Sequence, residues 1–239
     1  MQSFSIVIPL YNEEQRIPKT IREILDFFAP NPDFSPEIIF VNDGSTDATL
    51  AVLDSYRASG PFTVVTYAEN RGKGYAVRTG VAASSGDRIV FFDIDLATPL
   101  SEFTALRRSL GPDDGIVIGS RRLGASRIVK SQSGIRMFLG HQFTKLSNLL
   151  VPGVTDFTCG FKCFSRAAAD IIFPRARIDR WAFDTELLYI AKLHAIPVRE
   201  MPVAWRHDDD SRVSVVRAAW DSMRELVRMK AYQLRGLYL

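Results

Sequence analysis

The first half of the chain alternates between short apolar, β-branched runs and segments whose apolar residues recur with helical spacing. Five runs predict β-strands, at residues 4–9, 37–41, 62–67, 88–92 and 115–119. The segments between most of them carry helical stripes, such as Ile17, Ile21, Ile24 and Phe28. Strands and helices that alternate at this interval indicate βαβ units. We therefore predict an α/β fold with a mostly parallel central sheet flanked by helices.

The second half has a less regular pattern. It predicts a strand at 157–164, a helix from a cap at Ser165 to Phe173, a helix at 182–193 and an extended segment at 196–203. Residues 211–235 predict a long amphipathic helix. Its apolar stripe comprises Val213, Val216, Trp220, Met223, Val227, Ala231 and Leu234. No linker rich in Gly, Pro or Ser separates the halves, so we predict a single domain over residues 1–239.

Charge is distributed unevenly over the 239 residues, although the net charge is only +3. Residues 119–150 contain six basic and no acidic residues, and residues 211–239 contain six basic and two acidic residues. Two basic segments on an otherwise acidic chain predict an anionic partner. No apolar run approaches the ~18 residues of a membrane span, no signal peptide is visible, and there are only two cysteines. These features predict a cytoplasmic protein.

The residues after each predicted strand are the first candidates for chemistry, because parallel sheets bind ligands beyond the carboxyl ends of their strands. Asn12 follows the first strand and, with Gln15, predicts a capping box for the next helix. Ser45 follows the second strand and predicts another helix cap. Asp43 is left at the sheet edge, where it can accept hydrogen bonds from a nucleobase or a ribose.

An anion-binding pattern follows the third strand, and a cation-binding pattern follows the fourth. The loop at 70–75, NRGKGY, matches neither a Walker loop nor a dinucleotide fingerprint, but its glycines and cations before a helix suit a diphosphate. Asp93 and Asp95 follow a strongly apolar strand, where two carboxylates are costly without a cation. A hard divalent cation shared with phosphate oxygens is the natural partner. The alternative is one capping aspartate and one solvated aspartate.

Five motifs in this order, IVIPLYNEE, VNDGSTD, NRGKGYAVRTG, FFDIDLATP and GSR, resemble glycosyltransferase family 2 with its GT-A fold. Two later motifs, DFTCGFKCFSRAAA and RWAFDTELLYIA, resemble the branch that makes polyprenyl-phosphate sugars, closest to the dolichyl-phosphate β-glucosyltransferases. The resemblance implies inverting, metal-dependent transfer of glucose from UDP-glucose to a polyprenyl phosphate. It implies a nucleotide-sugar half at 1–120, an acceptor and sugar half at 121–210, and a basic amphipathic helix at 211–239.

The resemblance also implies roles for individual residues. The nucleotide sugar would contact Pro9, Tyr11, Glu13, Val41, Asp43, Lys73, Asp93, Ile94, Asp95, Arg121, Trp181 and Glu186. Among these, Lys73 would approach the diphosphate, and Asp93 and Asp95 would bind Mg²⁺ or Mn²⁺. Arg121 and Arg136 would hold the acceptor phosphate. The implied catalytic residues are Asp156, Arg121 and Asp184, where Asp156 either removes a residual proton or positions a cation.

Several alternatives to this function remain open. Ala97 stands where mannosyl-transferring relatives carry a glutamine, which favours UDP-glucose over GDP-mannose as donor. The alternatives are a GDP-mannose-dependent polyprenyl-phosphate mannosyltransferase, a family 2 transferase acting on a soluble sugar or glycolipid, and a non-catalytic nucleotide-sugar-binding module. We expect no nucleic-acid partner and predict no oligomeric state. The basic segments predict peripheral attachment to the cytoplasmic face of a membrane, or else a packed helix with a solvated basic face.

Overall fold

The computed structural model describes residues 2–29, 35–130, 134–206 and 215–239. Its strands are β1 (Phe4–Leu10), β2 (Glu37–Asp43), β3 (Thr63–Tyr67), β4 (Arg88–Phe92), β5 (Ile116–Ser120), β6 (Arg127–Lys130), β7 (Phe161–Ser165), β8 (Val198–Pro202) and β9 (Ala204–Arg206). Its α-helices are α1 (Ile17–Phe28), α2 (Thr49–Ser55), α3 (Lys73–Ala83), α4 (Ser101–Ser109), α5 (Gly134–Ser147), α6 (Arg166–Ile172), α7 (Phe183–Leu193) and α8 (Val215–Leu234). A single 3₁₀ turn covers Arg57–Ser59 in these ranges.

A seven-stranded sheet runs through the centre of the molecule in the order β3-β2-β1-β4-β7-β5-β8. All neighbouring strands are parallel except β7, which lies antiparallel between β4 and β5. Strands β6 and β9 form a separate parallel pair. The predicted α/β fold with a mostly parallel central sheet is confirmed, and strands from both halves of the chain share that sheet.

The central sheet is covered on both faces, which explains why its strands are continuously apolar. In β4, Ile89 and Phe91 face one core, together with residues of α3, α6, α7 and α8. Val90 and Phe92 face the other core, together with residues of α1, α2 and α4. Because both faces are buried, polar groups are concentrated where the strands end.

The predicted helix caps at Asn12 and Ser45 are wrong. Helix α1 begins after Arg16 and α2 after Ala48, and neither of these two N-cap residues caps its helix with a side-chain hydrogen bond. Asn12 instead has a left-handed backbone (φ 56°), and its side-chain oxygen accepts a hydrogen bond from Thr46 N at 2.8 Å. The Ser45 hydroxyl accepts from Asn12 N at 2.9 Å. Each of these side chains accepts a hydrogen bond from a backbone amide of the other loop. The loops after β1 and β2 are therefore joined to each other.

Two further boundaries differ from the sequence pattern. Strand β7 begins at Phe161 rather than at 157, because residues 156–160 form a loop at the sheet edge. The β6–β9 pair was not predicted, since strands of three or four residues show too little alternation to detect. The prediction that the long C-terminal helix includes residues 211–214 falls outside the described residues. Within the described ranges, no helix is both long and apolar enough to cross a membrane.

Candidate functional site

Lys73 and Asp93 meet at the carboxyl edge of the sheet. Lys73 is the first residue of α3, Asp93 follows β4, and the Lys73 ammonium forms an ion pair with Oδ1 of Asp93. Their side chains remain 37% and 35% exposed. Burial opposes the charge of the ammonium, but the carboxylates of Asp93 and Asp184 outweigh it and raise the pKa of Lys73. The site therefore presents a protonated amine and a carboxylate together, both within reach of solvent.

In the D-x-D turn, the side chains of the two aspartates lie at the sheet edge, whereas the side chain of the residue between them points into the core. Asp95 Oδ1 accepts a hydrogen bond from Ala97 N at 2.9 Å, and Leu96 has a left-handed backbone (φ 46°). The Ile94 side chain is buried in the core. Behind the turn, Gly160 comes so close that a Cβ there would collide with the carboxylate of Asp93. The glycine of the DFTCGFK motif thus leaves the space in which Asp93 sits.

The donor set at this edge fits a divalent cation that is shared with a ligand. Among the described residues, no group of three or more His, Cys, Asp or Glu side chains could hold a metal ion by itself. Asp93 and Asp95 therefore supply two carboxylates and no third ligand of these types. Mg²⁺ is commonly bound in this way, through one or two carboxylates together with substrate phosphates and water. Lys73 lies beside this pair, where a diphosphate would need a counter-charge.

Asp43 lies at the end of β2 and organises the loop that leads to Lys73. Its buried carboxylate accepts hydrogen bonds from Tyr67 Oη, Asn70 Nδ2, Arg71 N and Gly72 N, at 2.8–2.9 Å. Burial and the nearby Asp43 carboxylate raise the pKa of Tyr67. The predicted contact of Asp43 with a nucleobase or ribose stays a prediction. In the structure the carboxylate holds residues 70–72, which lead to Lys73, in place.

The other predicted nucleotide contacts are spread over the same edge. Tyr11 is exposed, Pro9 is half-buried, and Glu13 forms an ion pair with Arg16 at 2.9 Å. The side chain of Val41 packs in the core, as does that of Ile94, so only their backbone groups can face a nucleotide.

Arg121 and Asp156 form a bidentate pair at the end of β5. The Nε of Arg121 donates to Asp156 Oδ2 at 2.6 Å, and Nη2 donates to Oδ1 at 2.7 Å. Although burial alone would raise it, the charge and hydrogen bonds of Arg121 lower the pKa of Asp156 to about 2. Such a carboxylate is a weak proton acceptor. The geometry therefore favours the second of the two predicted roles, in which Asp156 positions a cation.

Glu200 supports this pair from β8, and sequence reasoning missed it. Its carboxylate accepts hydrogen bonds from Thr155 N, Thr155 Oγ1 and Asp156 N, at 2.8–3.1 Å. It therefore fixes the backbone that carries Asp156. Nothing in the strand sequence VREMP marked this glutamate as different from a solvated one.

Asp184 is buried at the start of α7 beside Lys162, which sequence reasoning also missed. Lys162 is fully buried in β7, and its ammonium donates to Asp184 Oδ1 at 2.5 Å and to Cys159 O at 2.6 Å. Burial raises the pKa of Asp184, while Lys162 and Lys73 oppose that rise. A lysine inside the apolar strand FKCF was the available signal. The Asp184 carboxylate thus interacts electrostatically with both Lys73 and Asp93.

The remaining predicted residues do not join this group. The buried carboxylate of Glu186 accepts hydrogen bonds from Arg177 N, Ile178 N and Tyr238 Oη. Trp181 is 43% exposed in the loop before α7. Arg136 lies on α5, but its side chain lies outside the part of the chain that the structure describes.

Comparison with known sequences gives one family and a consistent set of relatives. The sequence profile of "Glycosyl transferase family 2" matches residues 5–173. A protein of Drosophila melanogaster named "Dolichyl-phosphate beta-glucosyltransferase" is 39% identical over 88% of this chain and 69% of its own length. A human protein of the same name is 37% identical over 99% of this chain and 78% of its own length.

Comparison with solved structures gives the same fold. Mannosyl-3-phosphoglycerate synthase from Rubrobacter xylanophilus superposes with a TM-score of 0.72 at 18% identity, over 99% of this chain and 76% of that one. Glucosyl-3-phosphoglycerate synthase from Mycobacterium tuberculosis, in complex with Mn²⁺ and UDP-glucose, superposes with a TM-score of 0.68 at 21% identity. The match covers 95% of this chain and 79% of that one. At these identities the likeness establishes the GT-A fold, and in the second of these proteins that fold holds a metal ion and a nucleotide sugar together.

Proposed function

Because this chain belongs to glycosyl transferase family 2, we propose that it transfers glucose from UDP-glucose to a dolichyl-type polyprenyl phosphate, with inversion at the anomeric carbon. One observation carries the proposal. The Asp93 carboxylate forms an ion pair with Lys73 from the first half of the chain and lies against Gly160 of the second half. Gly160 belongs to the loop whose Asp156 and Thr158 accept hydrogen bonds from Arg121. These contacts support the proposal that Lys73 binds the donor diphosphate and that Arg121 binds the acceptor phosphate beside it.

The chemistry of a phosphate acceptor suits these residues. The second ionisation of a phosphate monoester lies near pH ~6, so at neutral pH its oxygen is already mostly charged. A strong general base is unnecessary, in keeping with an Asp156 whose pKa is about 2. We propose that Arg121, held by Asp156, brings two anions together through charge-assisted hydrogen bonds. A divalent cation held by Asp93 and Asp95 would neutralise charge on the leaving diphosphate.

Two observations support glucose as the transferred sugar. The relatives that match most of this chain carry the name dolichyl-phosphate beta-glucosyltransferase, which gives both the sugar and the acceptor. Ala97, which follows the D-x-D turn and offers no side-chain ligand, fits the glucosyl branch rather than the mannosyl branch.

The outer surfaces of α5 and α8 support attachment to a membrane, as an acceptor with a long lipid tail requires. In α8, Met223, Val227 and Leu234 are exposed, and Leu226 and Met229 are buried. In the described part of α8, these three members of the predicted stripe therefore face outward, beside the exposed Arg224 and Arg228. On α5, Met137 and Phe138 are exposed as well. Apolar side chains among basic ones suit the surface of an anionic leaflet, which we propose is the cytoplasmic one.

A transfer assay tests the function. Purified protein is incubated with radiolabelled UDP-glucose, GDP-mannose or UDP-N-acetylglucosamine and a short polyprenyl phosphate, with and without Mn²⁺. We expect label in the organic phase from UDP-glucose with Mn²⁺. Label from GDP-mannose alone would reject glucose, and a soluble glycoside as the sole product would reject the lipid phosphate.

A further inference from the structure

Residues 176–182, the last part of the loop between α6 and α7, pack against the start of α3, and we call this segment the bridging loop. Asp179 O accepts hydrogen bonds from Gly74 N at 2.8 Å and Tyr75 N at 3.3 Å. Arg78 of α3 donates to Ala176 O at 3.0 Å and to Asp179 Oδ1 at 2.6 Å. The bridging loop therefore supplies hydrogen-bond partners to the helix turn that carries Lys73.

Close packing makes this contact sensitive to small movements of the loop. A Cβ at Gly72 would lie 2.5 Å from Asp179 O, and a Cβ at Gly74 would lie 2.7 Å from Ile178 O. Gly72 also has a left-handed backbone (φ 108°). The position of the bridging loop thus decides the path of the chain on both sides of Lys73.

Two buried side chains connect α8 and the C-terminus to the bridging loop. Glu225 of α8 accepts a hydrogen bond from Ala182 N at 2.8 Å, at one end of the loop. Tyr238 donates its hydroxyl to Glu186 at 2.5 Å, and Glu186 accepts the backbone N–H groups of Arg177 and Ile178. Both contacts are removed from water, since Glu186 and Tyr238 are fully buried and Glu225 is 8% exposed.

We propose that α8 and Tyr238 clamp the bridging loop, so that Glu225, Glu186 and Tyr238 are positioning residues for the donor diphosphate. The inference rests on the proposed function for the identity of the donor. In this role the three residues position Lys73 without contacting the sugar. Their hydrogen bonds fix the loop, the loop fixes the first turn of α3, and that turn presents Lys73 to the ligand. Loss of binding that is equal in the ground state and the transition state raises KM and leaves kcat unchanged. We expect this pattern if the clamp positions Lys73 for binding of the diphosphate.

The first test uses Tyr238→Phe and a matched control, Tyr189→Phe. Tyr189 also donates a buried hydroxyl that joins α7 to α8, to Gln233 Oε1, but that contact does not involve the bridging loop. Binding of UDP with Mn²⁺ is measured by calorimetry, alongside Tm. We expect Tyr238→Phe to weaken UDP binding about fivefold or more and to raise KM for the donor, with KM for the lipid phosphate unchanged. Tyr189→Phe should lower Tm comparably and leave UDP affinity near wild type.

The second test uses Glu225, which keeps the proposal falsifiable if Tyr238→Phe does not fold. Glu225→Gln retains an oxygen that can accept from Ala182 N, so it should bind UDP like the wild type, and Glu225→Ala should lose affinity as Tyr238→Phe does. Wild-type affinity in Glu225→Ala, and in Tyr238→Phe where that variant folds, would overturn the clamp alone. Failure of the wild type to bind UDP would overturn the proposed function, and the clamp with it.

Discussion

Charged side chains occur in two environments in this molecule, and the difference separates binding from positioning. At the sheet edge, Lys73 and Asp93 are about one third exposed and lie next to Asp95. Deeper in the second half, Asp156 and Lys162 are fully buried, and each has at least two hydrogen-bond partners. An exposed pair exchanges partners at little cost, whereas breaking a buried pair costs several kcal/mol. The edge group can therefore accept a ligand, while the buried group holds its neighbours in place.

The largest effect expected from this comparison is on activity at the edge. Asp95→Asn keeps an oxygen that can accept from Ala97 N, so the turn should persist and Tm should stay near wild type. It removes one of the two carboxylates available for the divalent cation, and we expect transfer to fall by about 10³-fold. Transfer of label into the lipid fraction, with circular dichroism as the folding control, measures this. Retained activity in the variant would break the distinction between the two environments.

Lys162→Met should show the opposite behaviour, with a large effect on stability. It leaves Asp184 buried beside an apolar side chain, and we expect the free energy of unfolding to fall by about 3 kcal/mol. Lys19→Met, which breaks the exposed pair with Glu23, should change it by less than about 0.5 kcal/mol. Urea denaturation compares the two. The double variant Lys162→Met/Asp184→Asn should recover part of the loss, and no recovery would mean that unpaired charge is not the cause.

Acid should weaken the fold through Asp156. Its pKa is lowered in the folded state, so its ionised form stabilises the protein above the unfolded pKa, near 4. That contribution, about 2 kcal/mol, should be lost as pH falls from about 4 to about 2. Unfolding measured across this range should show a weaker pH dependence in Asp156→Asn.

Between pH 5 and 8, Asp156 should contribute no titration to the rate of transfer. A rate that follows its protonation there would restore the base role.

The smallest expected effect concerns the surface of α8. Arg228→Ala removes one exposed basic residue, and each such residue contributes about 1 kcal/mol near an anionic membrane. Binding to vesicles that contain phosphatidylserine should therefore weaken about fivefold, as measured by sedimentation. Arg108→Ala, on α4 and also exposed, is the control and should bind like the wild type. Equal binding by the two variants would place the membrane surface elsewhere.

The sequence was informative where structure is local and much less so where partners lie far apart along the chain. Asp93 and Asp95 follow an apolar strand, so the local sequence was enough to predict that they lie at the edge of the sheet. Glu225 and its partner Ala182 are 43 positions apart, and no local pattern connects them. The sequence predicts that Glu186 contacts the nucleotide sugar and that Asp184, two positions earlier on α7, acts in catalysis. Two residues apart on a helix differ by about 200°, so the two side chains point to nearly opposite sides.

Periodicity also left the orientation of α8 undetermined. The stripe that contains Met223, Val227 and Leu234 is real, but a second apolar side, with Leu226 and Met229, packs on the core. A helix with apolar residues on two sides gives no signal in its own sequence for which side is covered. Contacts with α5 and α7 decide this.

Gly160 shows how a residue without a functional group can control a reaction. Because Gly160 has no side chain, the carboxylate of Asp93 occupies the space that a Cβ would take. Even a methyl group at this position would therefore displace the carboxylate. A search for inactivating mutations that considers only charged and nucleophilic residues would pass over this position. In a library of random variants, we expect a substitution at Gly160 to abolish transfer although every reactive side chain remains in the sequence.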